Sequence, residues 1–141
     1  MLGAHCDTLL LVHVIWATSN RAATLMPTFD GWFAELAAEA CRRIECDLVA
    51  VGNGRDHVHV VVRLSPSVAL ADVVRRLKGG SSHAWNAREQ GRALRWQTGY
   101  WARSIEQEGL APLTAYVRDQ RGRHATATTL AAWEQHEATQ V

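Results

Sequence analysis

Residues 56–62 read Asp56-His57-Val58-His59-Val60-Val61-Val62, and this stretch decides the expected fold. β-branched residues dominate it, so it predicts a β-strand. Because successive side chains of a strand point to opposite faces, His57 and His59 share one face and the three alternate valines share the other. The valines would anchor the strand in a sheet, while two imidazoles on one rigid face form half of a candidate metal site. The alternative is a chance pair, since the chain contains seven histidines.

A second segment, residues 111–124, predicts a helix that carries a tyrosine. Pro112 fits a first helical turn, and the residues that recur at helical spacing are Leu113, Tyr116, Val117 and Gln120. At this spacing Tyr116 and Gln120 share a face, so a nucleophile and a third metal ligand could be offered together. The alternative is an ordinary amphipathic helix whose tyrosine packs in the core.

Hydrophobic periodicity and turn residues predict the remaining elements. Strands are expected at about residues 8–18, 47–51, 57–64 and 94–105, and helices at about 28–45 and 68–87. Ser67 is expected to cap the second helix, Gly79-Gly80 to weaken it, and Gly52-Asn53-Gly54 to form a hairpin turn with positive φ. The order β-α-β-β-α-β-α predicts an α+β domain spanning residues 1–141. Its fold would be ferredoxin-like or RNA-recognition-like: an antiparallel sheet with helices on one face and a C-terminal helix carrying the tyrosine.

Composition favours a soluble globular domain of 141 residues, with 48% hydrophobic and 21% charged residues. No apolar run reaches the length of a membrane span, and no secretory signal is recognisable, so a cytoplasmic location is expected. The three cysteines have no spacing typical of zinc sites, and Cys41 is expected in the core.

The formal net charge is only +1, but the charges are unevenly distributed along the chain. The first long helix is acidic, whereas positive residues are concentrated at Arg75, Arg76, Lys78, Arg88, Arg92, Arg95 and Arg103. This basic region could face a phosphate backbone, with Arg75, Arg76 and Lys78 in contact. A solvated helix face is the alternative. Trp96, Tyr100 and Trp101 could stack on single-stranded bases, although at least one of them is expected in the core.

Taken in order, these motifs resemble the single-tyrosine HUH transposases of the insertion sequence 200 type, where HUH denotes His, bulky hydrophobic, His. The resemblance covers about residues 8–124, and residues 125–141 form a tail without a matching motif. Its ordered blocks are the first strand, Asp56 with His57-Val58-His59, Leu77-Lys78-Gly79-Gly80-Ser81-Ser82, the segment from Trp96 to Ser104, and Tyr116 to Gln120. Gly54-Arg55 stands where Met-Pro is common in the family.

This resemblance implies the same fold and an enzyme that cleaves and rejoins single-stranded DNA at insertion-element ends, recognising hairpins there. It implies that Tyr116 forms a 5′-phosphotyrosine and that His57, His59 and Gln120 hold a divalent metal, Mg²⁺ or Mn²⁺. It also implies a homodimer, in which the tyrosine of one chain could serve the histidines of the other. The expected DNA-contacting residues are Arg75, Arg76, Lys78, Ser81 and Arg103.

Other functions compete with this interpretation. A domesticated protein could bind DNA hairpins without cleaving them, and a relaxase or replication initiator would use similar motifs in a larger chain. A non-enzymatic RNA binder of the same fold would not explain the ordered motifs. Among the other polar residues, Asp56 is expected to orient a neighbour or cap a turn. His124 is expected to end its helix, and an approach to DNA is the alternative. His13 and His83 are expected at the surface or the edge of the core.

Overall fold

The computed structural model describes residues 6–89 and 93–134. Its strands are β1 (Leu10–Ala17), β2 (Asp47–Asn53), β3 (His57–Leu64) and β4 (Trp101–Ser104). Its α-helices are α1 (Pro27–Arg42), α2 (Leu70–Arg88), α3 (Leu110–Arg118) and α4 (Gln120–Ala125). Three single-turn 3₁₀ helices lie at Ser19–Arg21, Gln107–Gly109 and Ala131–Trp133. The predicted bounds of β3 are confirmed exactly.

The four strands form one antiparallel sheet in the order β2-β3-β1-β4. The central strands β1 and β3 pair along their whole length, from Leu10 opposite Leu64 to Ala17 opposite His57. With helices α1 and α2 connecting the strands, this is the predicted ferredoxin-like α+β fold, and that prediction is confirmed.

One face of the sheet carries the main hydrophobic core under α1 and α2. Val58, Val60 and Val62 point into it, together with Val14 and Trp16 of β1. Each helix contributes residues from one side: Phe29, Phe33, Ala37 and Cys41, four apart, from α1, and Val73, Val74, Leu77 and Trp85 from α2. The alternate valines of β3 therefore face the main core, as the sequence predicts.

Helix α3 packs on the opposite face, where Leu113 and Val117 meet Ala50 and Val61. Glycine at position 52 makes this close approach possible. A Cβ atom there would lie 1.6 Å from the carbonyl oxygen of Val117. The predicted positive-φ turn at Gly52-Asn53-Gly54 is wrong, because Gly52 and Asn53 pair with β3 and none of the three has positive φ.

Several other predicted boundaries are corrected. The helix expected over residues 111–124 is two helices, because Asp119 leaves helical geometry at φ −105° and ψ 30° between α3 and α4. The fourth strand is shorter than residues 94–105. Lys78 Nζ binds the carbonyl oxygens of Gln97 and Gly99, and Gly99 has φ +87°, so the chain leaves the sheet there. Only an isolated bridge between Thr18 and Trp96 precedes β4.

Helix α2 also differs from prediction at two points. It runs unbroken through Gly79-Gly80, both on its exposed side. Its N-cap is Ala69 rather than Ser67, whose hydroxyl bonds that of Ser65 instead. Within the described residues, no helix is long and apolar enough to span a membrane.

Candidate functional site

The face of the sheet under α3 and α4 brings together His57, His59, Tyr116 and Gln120. Strand β3 supplies the two histidines, α3 the tyrosine and the first turn of α4 the glutamine. All four are almost completely buried, with exposures of 4%, 0%, 1% and 1% respectively. The rings of His59 and Tyr116 lie 6.2 Å apart within one chain. Sequence spacing thus identified residues that the fold collects from two separate segments.

The orientation of His57 is fixed by its neighbour in sequence. Its Nδ1 lies 2.7 Å from Oδ1 of Asp56, so this nitrogen donates its proton to the carboxylate. The hydrogen bond from His57 is the main reason that the pKa of Asp56 is lowered, against the effect of burial. A neutral His57 then presents a free lone pair on Nε2. The prediction that Asp56 orients a neighbour is confirmed.

Gln120 faces that lone pair with another acceptor. Its amide nitrogen donates to the carbonyl oxygen of Tyr116 at 3.2 Å, which fixes the orientation of the amide. Its Oε1 therefore points at His57 Nε2, 3.2 Å away. Two acceptors that face each other across this distance in a buried site are stabilised by a cation or a proton between them. This local geometry fits a metal ligand pair.

Glu134 joins the histidines from the tail and was not predicted. Its carboxylate oxygens lie 2.9 Å from His59 Nε2 and 2.8 Å from His124 Nε2. His57, His59 and Glu134 offer ligand atoms that all lie within 4.8 Å of one another. Despite these short distances, His59 Nε2 and both carboxylate oxygens lack properly oriented hydrogen bonds. A donor set of two nitrogens and one or two oxygens, converging but unsatisfied, fits a divalent transition-metal ion or Mg²⁺.

The charge states of these groups favour metal binding. Burial lowers the pKa of His59 to about 4, although Glu134 partly offsets this effect. Burial alone would raise the pKa of Glu134, but His59 and the nearby His57 and His124 lower it below the usual value. Near neutral pH the site therefore holds a neutral imidazole beside a carboxylate, which are the forms that bind metal.

Tyr116 is covered by the segment that precedes Glu134. The backbone N–H of Leu130 donates to its hydroxyl oxygen at 2.9 Å, and the Trp133 ring lies 5.1 Å from the tyrosine ring. Burial is the largest cause of a raised pKa at Tyr116. In this arrangement the phenol is protonated at neutral pH and shielded from large ligands, so residues 126–134 must move before it can meet a phosphate.

Two further histidines belong to this face. His13, expected at the surface or core edge, is 1% exposed and its Nε2 lies 2.9 Å from His59 Nδ1, so that expectation is wrong. His124, expected to end its helix or approach DNA, bonds Gln120 Oε1 at 3.2 Å and packs against the His57 ring. His83 is exposed, as expected. For His13 the signal was in the sequence, since a histidine inside an apolar strand must find a buried partner.

The predicted DNA-contacting residues do not gather around this site. Arg75, Arg76, Lys78 and Ser81 lie on α2, which covers the other face of the sheet. Both arginines are exposed, whereas Lys78 is bonded to two backbone carbonyls. Ser81 is fully buried and accepts a hydrogen bond from Trp96, so a contact between Ser81 and DNA does not fit this arrangement.

Arg103 differs from the α2 residues in its position. It pairs with His13 across the sheet and so points to the face that carries the candidate metal ligands, with its guanidinium over the Trp101 ring. Tyr100 is 39% exposed, while Trp96 packs against the main core, as expected for at least one of these aromatic residues. Arg92, the other predicted basic residue between Arg88 and Arg95, lies outside the described residues.

A cleft of about 400 Å³ opens beside the histidines and was not predicted from the sequence. Its lining residues are Gly54, Arg55, Arg121, His124 and Ala125. Arg121 is held in place by a bidentate ion pair with Asp30, whereas Arg55 is exposed at the cleft. The cleft thus has a basic rim next to the cluster of acceptors, a combination suited to a phosphate group.

Comparison with known proteins identifies a family and two solved structures of similar fold. The family described as "Transposase IS200 like" matches residues 6–120. The crystal structure of a candidate transposase from Deinococcus radiodurans R1 superimposes with a TM-score of 0.67 and 21% identity, covering 86% of this chain and 98% of that one. A REP-associated tyrosine transposase bound to a REP hairpin gives a TM-score of 0.65 and 14% identity, covering 94% of this chain and 80% of that one. A sequence comparison with curated proteins found no match.

Proposed function

This chain belongs to the IS200-like transposase family, and we propose that it cleaves and rejoins single-stranded DNA at the ends of an insertion element. The observation that carries the proposal is the convergence of His57, His59 and Gln120 on the face where Tyr116 lies. The proposed DNA partner carries a hairpin, as does the DNA bound to the solved tyrosine transposase of similar fold. The proposed location is the cytoplasm.

The proposed nucleophile is the hydroxyl oxygen of Tyr116, which loses its proton to water as it attacks. It attacks the phosphorus of a phosphodiester, a bond forms between the tyrosine and the 5′-phosphate, and the bond to the 3′ oxygen breaks. The leaving 3′ oxygen takes up a proton and becomes a hydroxyl group. Because the phosphoester energy is kept in the protein–DNA bond, the strand can be rejoined to another end without a nucleotide cofactor.

The proposed metal ligands are His57 Nε2, His59 Nε2, Gln120 Oε1 and a carboxylate oxygen of Glu134. Asp56 keeps His57 in the tautomer with a free lone pair on Nε2, and the Tyr116 carbonyl keeps the Gln120 oxygen turned inward. When bound, Mg²⁺ or Mn²⁺ would neutralise the phosphate oxygens and stabilise the charge that develops on them. The mixed nitrogen and oxygen ligands favour Mn²⁺ in affinity, because imidazole suits transition metals better than Mg²⁺.

DNA is proposed to reach Tyr116 along the basic cleft, after the segment with Leu130 and Trp133 has moved away. Arg55 at the rim and Arg103 on the same face of the sheet are placed for backbone contacts near the site. Arg75 and Arg76 would hold a more distant part of the hairpin, and Lys78 with Ser81 would keep the loop before β4 in place. A homodimer is also proposed, and the molar mass in solution measured by light scattering would test it.

A binding-only function is the second candidate, because Tyr116 is only 1% exposed and its hydroxyl is already bonded to Leu130. A denaturing gel separates the two. The full chain is mixed with Mn²⁺ and labelled single-stranded DNA carrying the hairpins and flanks of its own genomic locus. We expect a covalent adduct that is lost with EDTA, in Tyr116→Phe and in His57→Ala, while both variants still bind the hairpin.

Each alternative result has a definite meaning. Hairpin binding without an adduct across all flanks would favour the binding-only protein. An adduct that survives in Tyr116→Phe would exclude Tyr116 as the nucleophile. Undiminished, metal-independent adduct formation in His57→Ala would exclude the proposed metal site.

A further inference from the structure

His13 lies directly behind the candidate metal ligand His59, inside the sheet. It belongs to the central strand β1 and is 1% exposed, as buried as the next residue of the strand, Val14, at 2%. Its Nε2 is 2.9 Å from His59 Nδ1, and the two rings are stacked at 23°. Trp101 closes the site from β4, with its ring edge-on to His13 at 5.1 Å. A buried polar side chain in this position requires a hydrogen-bonded partner, and His59 is that partner.

The direction of this hydrogen bond follows from the other nitrogen of His59. Its Nε2 faces the Glu134 carboxylate at 2.9 Å and must carry a lone pair to bind a metal ion. A neutral imidazole with a lone pair on Nε2 has its proton on Nδ1. In the metal-bound state that proton points at His13 Nε2, which accepts it, and the proton of His13 lies on its own Nδ1. One hydrogen bond thus determines the tautomer of two rings.

The two candidate ligands are held in different ways. His57 donates its Nδ1 proton to the anionic carboxylate of Asp56, at 2.7 Å. His59 donates to a neutral imidazole, which adds no negative charge beside the phosphate that would occupy the site. Removing the acceptor would leave a buried N–H unsatisfied and would free the ring to take the opposite tautomer, in which Nε2 is blocked by a proton.

We propose that His13 is a positioning residue, which accepts the Nδ1 proton of His59 and so presents Nε2 of that ring to the metal ion. The inference rests on the metal site of the proposed function and assigns His13 no contact with DNA or metal. Partners of metal-bound histidines typically change metal affinity by about 10- to 100-fold when they are removed.

Three variants and one spectrum test this role in the full chain. His13→Leu removes the acceptor, His13→Gln keeps an acceptor oxygen, and Ile15→Val is the control for a small change in packing, since Ile15 is a fully buried neighbour on the same strand and face. The Mn²⁺ dissociation constant is measured by electron paramagnetic resonance. The tautomer of His59 is read from long-range nitrogen–proton NMR correlations in the wild type loaded with Mg²⁺, which is diamagnetic and leaves the spectrum readable.

We expect the Nδ1–H tautomer at His59 in the Mg²⁺-loaded wild type. We expect Mn²⁺ binding to be about 10- to 100-fold weaker in His13→Leu, and within a few-fold of wild type in His13→Gln and Ile15→Val. A protonated Nε2 on His59 in the Mg²⁺-loaded wild type would overturn the proposal, as would wild-type affinity in His13→Leu. If His13→Leu does not fold, the proposal is judged from the Mn²⁺ affinity of His13→Gln and from the tautomer of His59 in the Mg²⁺-loaded wild type.

The outcome is separable from that of the proposed function. Wild-type protein that binds Mn²⁺ but forms no DNA adduct would remove the transposase activity and leave the role of His13 standing. Adduct formation by the wild type, together with unchanged Mn²⁺ affinity in His13→Leu, would support the transposase activity and exclude the role of His13. Wild-type protein that binds no Mn²⁺ would overturn both.

Discussion

Gly52→Ala should lower both the stability of the protein and the reactivity of Tyr116. The added Cβ would lie 1.6 Å from the Val117 carbonyl oxygen and 2.6 Å from its carbonyl carbon, whereas ordinary contacts begin near 3.4 Å. Both atoms belong to the backbone of α3, so no side chain can turn aside. Either α3 or strand β2 must shift by an amount approaching 2 Å, as the difference between these distances requires.

The cost can be estimated from this displacement. Overpacking of this kind typically costs about 1–3 kcal/mol. Tyr116 directly precedes Val117, so a shift of α3 moves the phenol relative to the histidines, and a displacement of about 1 Å in a reacting group can reduce the rate by about 100-fold. We therefore expect the free energy of unfolding to fall by about 1–3 kcal/mol and adduct formation to slow by about 100-fold.

The matched control is Gly31→Ala, which makes the same chemical change in the interior of α1. No atom lies within 4 Å of a Cβ at position 31, and the residue is exposed. Alanine there should stabilise the protein by about 0.5–1 kcal/mol, because glycine is unfavourable inside a helix. Urea denaturation gives the free energies, and the denaturing gel gives the rate. The predicted clash between position 52 and α3 would be refuted if Gly52→Ala unfolded at the same urea concentration as the wild type and formed the adduct at the same rate.

Three more predictions concern the site itself. His13 and His59 have pKa values lowered to about 3 and about 4, mainly by burial, so the unfolded chain takes up protons that the folded chain excludes. The free energy of unfolding should therefore fall as the pH drops from about 6.5 to about 4, by up to about 1.4 kcal/mol per pH unit for each histidine, and urea titrations across this range would measure it. Glu134→Gln removes a charged contact of about 1.5–3 kcal/mol and should weaken Mn²⁺ binding by about 10- to 100-fold, and an unchanged dissociation constant would exclude Glu134 as a ligand. Trp133→Ala uncovers Tyr116 and should speed adduct formation on the denaturing gel, whereas a slower reaction would mean that this tail segment assists the chemistry.

The fold, and three of the four candidate ligands (His57, His59 and Gln120), could be predicted from the sequence. Alternation of histidine and valine over residues 57–60, followed by Val61 and Val62, indicated a strand with one apolar face. The periodic apolar residues of α1 supplied the surface that covers it. These patterns are local, since each depends on the geometry of a single element. The same holds for the spacing of Tyr116 and Gln120, whose mutual contact survives even though the helix breaks at Asp119 between them.

Tertiary structure alone decided what surrounds those residues. Glu134 and Leu130 come from a tail with no recognisable motif, and the fold brings Glu134 against β3 and Leu130 against α3. The role of Gly52 depends on the path of α3 across β2, which no turn rule predicts. His13 reaches His59 only because β1 pairs with β3 in one particular register. Contacts between distant segments depend on packing and register rather than on local periodicity, and this is why they emerge only when the chain is folded.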